Sequence, residues 1–283
     1  MQIPEENLDA AIQAGLQSGF GDERLRIGGL KAFADGALGA RTAYMLEPFE
    51  GEPDNCGIAV SEADHLKELV GKASLAGLAA FVHAIGDRAN REVLDAVEAS
   101  RKAGEGLHLR HRIEHTQILH PDDMPRLAEL GVIASMQPIH ATQDMLLADE
   151  LWGSRSAGAY AYRSLLDNGA VLAFGSDSPV EDLDVMVGIH AAVTRRRADG
   201  SPGPEGWYPE QRLTVTEAVH AYTAGAAYAS GEEEIKGTLS PGKLADLVVL
   251  SQDIFDIDPM AILETDVVAT MLDGAFVYAQ EEL

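Results

Sequence analysis

The chain has one cysteine in 283 residues, Cys56, so no disulfide can form within it, and a structural zinc would have to be held by histidines and carboxylates. It lacks a run of about 18 consecutive apolar residues, which argues against a membrane-spanning helix. The first residues, MQIPEENLDAAIQAG, have neither a basic start nor the apolar stretch of a secretion signal, so the expected location is cytoplasmic. Positive charge is scarce: 21 basic residues face 46 acidic ones, a net charge of −25. Such a chain repels phosphate backbones and anionic lipid head groups, and neither nucleic acid nor a membrane is expected as a partner. No G-x-G-x-x-G follows an apolar run and no P-loop is present, so a nucleotide site has nothing to rest on.

What remains is an alternation of short apolar runs with helical stretches, the pattern of a parallel sheet. Residues 5–18 place Leu8, Ile12 and Leu16 on one helical stripe. Strands are expected over Arg26–Ala34, Leu78–His83, Leu107–His115, Val132–Met136 and Ala170–Ser176. Helices are expected from Ser61, where Ser61-Glu62-Ala63-Asp64 resembles a capping box, over Arg88–Lys102 with Asp87 as cap, and from Pro121. The stretch Gln137–Ala157 reads as an irregular, functional loop. A last helix starts at the capping box Thr214-Val215-Thr216-Glu217 and runs to about Ala229. Residues 1–236 thus form a main α/β domain. From 237 to 283 the strands Ala245–Ser251, Val267–Asp273 and Ala275–Ala279 form a small β module, with a hairpin at Asp273-Gly274.

The polar residues collect just beyond the C-terminal ends of the expected strands, where barrels place their active sites. Lys31 lies in GGLKAFADG, His83 in AFVHAIGD, His115 in RHRIEHTQ and Asp177 in AFGSDSP. Two imidazoles and a carboxylate suit Zn²⁺ or a similar divalent ion with water in an open position. His111 to His115 also matches the inverted zincin pattern H-x-x-E-H, which needs a helix. Leu107, Leu109 and Ile113 keep a period of two, and on a strand residues four apart are separated by roughly 13 Å, too far to share one metal.

KAFADGALGARTA, HAIGDRAN, HRIEHTQ, SMQPIH, GSDSPV, AYTAGAAYAS and GTLSPGKLADLVVL, in this order, resemble the YtcJ-like amidohydrolase-3 family of metal-dependent hydrolases. The resemblance implies a distorted (β/α)₈ TIM-type barrel, here incomplete with strands four to eight, and a small sandwich to which the C-terminal β module contributes. It implies hydrolysis of amide-type C–N bonds of small molecules, N-substituted formamides among them. His83 and His115 match the ligands of the fifth and sixth barrel strands. Asp177 matches the eighth-strand aspartate that binds metal and takes a proton from the attacking water. Lys31 stands where many relatives carry a carboxylated lysine bridging two metals; a salt-bridging barrel lysine is the alternative. Asp35, His140 and Arg163 are candidates for substrate contact, with turn hydrogen bonding, a loop position and a helix position as their structural alternatives. The chain departs from the family in having no H-x-H pair. Missing strands one to three would leave sheet edges open. Three expectations follow: one chain of a split enzyme whose N-terminal partner supplies H-x-H, an inactive truncated product, or a homo-oligomer with a reduced site.

Overall fold

A computed structural model describes residues 1–280. Its main sheet has six parallel strands: β1 Gln2–Pro4, β2 Gly29–Phe33, β3 Ala79–Ala84, β4 Arg112–His115, β5 Ile133–Met136 and β6 Leu172–Phe174. Their order across the sheet is their order in the chain. The expectation of five strands is one short. β1 is only three residues long and ends in Pro4, so no periodicity announces it; pairing of Ile3 with Leu30 and Pro4 with Lys31 makes it a strand. As an end strand it suits its place, being short and closed by a residue without an N–H. Elsewhere most ladders are shorter than expected, above all β4, where Leu107 lies in an exposed turn ahead of the strand and not within it.

The helices between the strands are α1 Leu8–Gln13, α2 Ala63–Leu75, α3 Asp87–Lys102, α4 Met124–Leu130, α5 Pro138–Trp152 and α6 Tyr162–Asp167. They are followed by α7 Val185–Thr194, α8 Val215–His220 and α9 Ala226–Ser230. α3 shows why they form: Ala89, Val93, Leu94, Ala96 and Val97 are buried on one side, while Arg101 and Lys102 complement the dipole at its end. Two expected caps are corrected. α2 starts after Glu62 with no side-chain cap, because the backbone N–H groups of Val60 and Ser61 turn back to Ala34 O. α3 is preceded by Gly86, and the Asp87 carboxylate instead accepts the Leu46 N–H at 2.8 Å.

The expected loop at Gln137–Ala157 is also corrected, since α5 and a 3₁₀ turn over Gly153–Gly158 occupy it. Pro138 opens α5, and Gln, Met, Leu, Ala and Glu favour helix; the absence of a polar stripe conceals the period. The capping box at Thr214 is present in both halves. From it α8 continues through a π turn, Ala221–Gly225, into α9.

The chain divides into two compact units. The first comprises Met1–Met136 and Asp144–Leu172; the second comprises Gln137–Gln143 and the chain from Ala173 onward. The core of the first is built on Leu30, Leu66, Leu78, Leu94 and Ile113, all fully buried. β3 is buried along nearly its whole length, as expected of a central parallel strand covered on both faces. In the second, α7 packs on the 3₁₀ turn Pro259–Glu264. Arg195 is fully buried there, its Nε donating to Trp207 O at 2.9 Å and its guanidinium facing the Trp207 ring. The second unit also carries an antiparallel sheet of β7 Leu247–Leu250, β8 Val267–Leu272 and β9 Ala275–Ala279. Asp273 and Gly274, both at positive φ, turn β8 into β9 as the hairpin signal predicts. Among the described residues no helix is long and apolar enough to cross a membrane.

Candidate metal centre

His83 and His115 stand at the ends of adjacent strands, with Ala84 paired to His115. Their rings meet edge-on, centroids 4.6 Å apart, and the His83 ring lies 5.3 Å from that of Phe33. His83 Nε2 is 2.8 Å from Gly36 O. A carbonyl only accepts, so Nε2 carries the proton and Nδ1 keeps its lone pair. Burial, reinforced by neighbouring His115, pushes His83 down to about 4, so it is neutral at pH 7, the form that binds metals.

Asp35 lies beside His83, its Oδ1 3.6 Å from Nε2. Its buried carboxylate accepts the N–H groups of Tyr44 at 2.8 Å, Ile85 at 3.0 Å and Gly86 at 2.8 Å. Burial pushes the carboxyl up to about 7, while the three N–H donors pull the other way. Asn90, absent from the sequence-based candidates, forms a second tie. Its fully buried Nδ2 faces the carbonyls of Ala84, Ile85 and Gly86, beyond His83, and of Ile118, beyond His115. It thereby joins the two strand ends that carry the imidazoles. A buried asparagine one turn into a helix has no signature of its own in the sequence.

Lys31 places its ammonium over the Phe33 ring, 4.5 Å from the centroid. Both residues line a cavity of about 640 Å³ with Glu5, His65, Glu68 and Lys72. Arg163 pairs with Asp167 one turn along α6, at 3.3 Å. Asp177 follows β6 by three residues and is solvent-exposed; His140, in the first turn of α5, is buried.

In the second unit the ligand atoms of His140 and Asp177 lie within 4.8 Å of one another. An imidazole nitrogen and a carboxylate oxygen are donors that suit a divalent ion of the zinc type, as are the two imidazoles of His83 and His115 in the first unit. Asp177, expected as a ligand, thus has His140, expected at the substrate, beside it, and His83 has His115 beside it. The signal for His140 was its position in SMQPIH, directly past a strand end. The backbone here is unusual: His115 (φ 76°), Thr116 (φ 45°) and Asp177 (φ 60°) are all left-handed. Such conformations cost about 1–3 kcal/mol each and gather where a side chain must be aimed.

A family model described as "Amidohydrolase family" matches residues 2–278. The chain belongs to the amidohydrolase family. Protein LONG AFTER FAR-RED 3 of Arabidopsis thaliana is 37% identical over 96% of this chain and 46% of its own length. Putative amidohydrolase YtcJ of Bacillus subtilis is 35% identical over 90% of this chain and 47% of its own. An uncharacterized metal-dependent hydrolase from Pyrococcus horikoshii superposes with a TM-score of 0.80 at 32% identity, covering 91% of this chain and 51% of that one. This amidohydrolase chain thus spans about half the length of the curated relatives it matches.

Proposed function

We propose that this amidohydrolase chain carries the part of a metal-dependent active site that hydrolyses an amide-type C–N bond of a small molecule. The approach of the His140 and Asp177 ligand atoms to within 4.8 Å, and the pairing of the His83 and His115 rings, support this reading most directly. Family membership and the likeness to a metal-dependent hydrolase support it further. In the proposal His115, His140 and Asp177 hold the ion, and His83 offers Nδ1 as a further nitrogen donor. A bound divalent ion, zinc in our reading, supplies Lewis acidity, lowering the pKa of water and polarising a carbonyl.

The chain's own groups do the rest. Asp177, a carboxylate with access to solvent, takes the proton of the attacking water and returns it to the departing nitrogen. His83, neutral at working pH, does not compete for that proton. Carboxylation of Lys31 belongs to the same proposal. It requires the ammonium now over Phe33 to lose its proton, and labelling with ¹³C-bicarbonate detects the carbamate.

The test is metal analysis after equilibration with Zn²⁺ and gel filtration. Wild-type chain should retain about one ion, and His115→Ala and Asp177→Asn should each lose it. Amide hydrolysis, where the wild type shows it, should fall by about 10²–10⁴-fold in Asp177→Asn. A folded wild-type chain without stoichiometric metal would refute the proposal.

A further inference from the structure

Asp35 was expected to touch substrate, but its oxygens turn into the backbone. Oδ2 receives the N–H groups of Tyr44 and Gly86, and Oδ1 receives that of Ile85. Oδ1 also lies 3.6 Å from His83 Nε2. The carboxylate is therefore surrounded by donors. Two of them, Ile85 and Gly86, lie two and three residues past His83. Gly36, the residue after Asp35, presents the carbonyl that receives the His83 Nε2–H. Both glycines are tightly fitted: a Cβ on Gly36 would meet Thr42 Oγ1 at 2.1 Å, and one on Gly86 would meet Tyr44 O at 2.0 Å. One side chain thus fixes the acceptor in front of the imidazole and the backbone behind it.

We propose that Asp35 is a positioning residue for His83, holding the ring as the Nε2–H tautomer so that Nδ1 is the nitrogen left with a lone pair. The Asp35 oxygens already accept three N–H groups and favour a nearby N–H over a nearby lone pair, and Gly36 O demands the same proton on the same nitrogen. Asparagine cannot substitute. Its NH₂ would face either the Ile85 N–H and His83 or the N–H groups of Tyr44 and Gly86, donor against donor. The consequence for metal binding rests on the reading of His83 as a ligand given above; the tautomer does not.

The experiment is long-range ¹H–¹⁵N NMR of the metal-free chain, with His83 assigned by His83→Gln, together with Co²⁺ titration. The wild type should show His83 as the Nε2–H form. Asp35→Asn should shift it toward a mixture and weaken Co²⁺ affinity by about 10–100-fold. Asp123→Asn serves as control. It removes another buried carboxylate, held by Arg91 and Arg126, and should cost stability while leaving the tautomer and the affinity unchanged. If Asp35→Asn does not fold, Asp35→Glu, which moves the charge by one methylene, is read by the same criteria. An Nδ1–H tautomer in the wild type overturns the proposal, as does a folded Asp35 variant with wild-type tautomer and affinity. A wild-type chain that binds no Co²⁺, but whose tautomer responds to Asp35→Asn, retires the metal reading and sustains this one.

Discussion

His111 is buried in the first unit as a neutral ring. Its Nδ1 accepts the Ala80 N–H at 3.0 Å, and its Nε2 lies 3.5 Å from Ser74 Oγ. Burial first, then the charge of Arg101, pushes it down to about 3, against about 6.5 in an unfolded chain. The folded pKa is the lower one, so this contribution to stability is complete above pH 6.5 and is lost as pH falls toward 3. The slope reaches at most about 1.4 kcal/mol per pH unit for one group. His190, pushed down to about 4 by burial, acts with the same sign. His111→Gln should therefore reduce, without abolishing, the fall of the urea midpoint between pH 6.5 and 4. Equal slopes in variant and wild type would show that His111 is not the group responsible. This histidine also marks how a sequence motif misleads: it opens H-x-x-E-H, yet only His115 of that pair stands beside His83. The strand expected over Leu107–His115 is confined to Arg112–His115; Leu107 lies in an exposed turn, so its alternation with Leu109 and Ile113 does not mark a strand face. His140 was visible as a polar residue past a strand end, but its approach to Asp177 is a long-range fact with no local code.

Between elements, Asn90 links the turn after β3 to the loop after β4 through four carbonyl contacts of 2.9–3.3 Å. Asn90→Asp would set a carboxylate oxygen against those carbonyls in a fully buried position. The loss should be about 3 kcal/mol or more, read as a lowered denaturation midpoint. An Asn90→Asp chain of wild-type stability would mean that the tie does not hold these loops. Elements were legible where their ends or faces carried a local mark, such as the Thr214 box, the Asp273-Gly274 turn and the apolar stripe of α3. α5 was missed because its first residues, Pro138 to Thr142, are buried whether polar or apolar, and its later residues mix acids with apolar side chains, so no stripe in the sequence separates its faces. β1 was missed for another reason. A three-residue strand exists only through its partner, and Leu30 and Lys31 lie far from it in sequence.

The whole chain carries 46 acidic and 21 basic residues, an imbalance no local pairing can neutralise. Some acids are matched: Arg126 reaches Asp95, Glu98 and Asp123, and Lys236 reaches Glu232. Of these, Asp123 and Glu232 are buried, whereas a pair with an exposed acid, such as Arg126 with Asp95, is worth about 0–1 kcal/mol, and salt screens it. Salt also screens the repulsion among the unmatched acids, and with a net charge of −25 the repulsive pairs outnumber the attractive ones. The Debye length falls from about 10 Å at 0.1 M to about 3 Å at 1 M, short enough to uncouple charges on neighbouring helices. Net stabilisation by salt follows. Raising KCl from 0.05 to 1 M should raise Tm by at least about 4 °C, corresponding to roughly 2 kcal/mol for a chain of this size. Guanidinium chloride below 0.5 M should stabilise before it unfolds, because it is a salt as well as a denaturant, whereas urea should destabilise from the first addition. A Tm unchanged or lowered by 1 M KCl, with no stabilising phase in guanidinium, would mean that the surface acids are already neutralised or too far apart to repel.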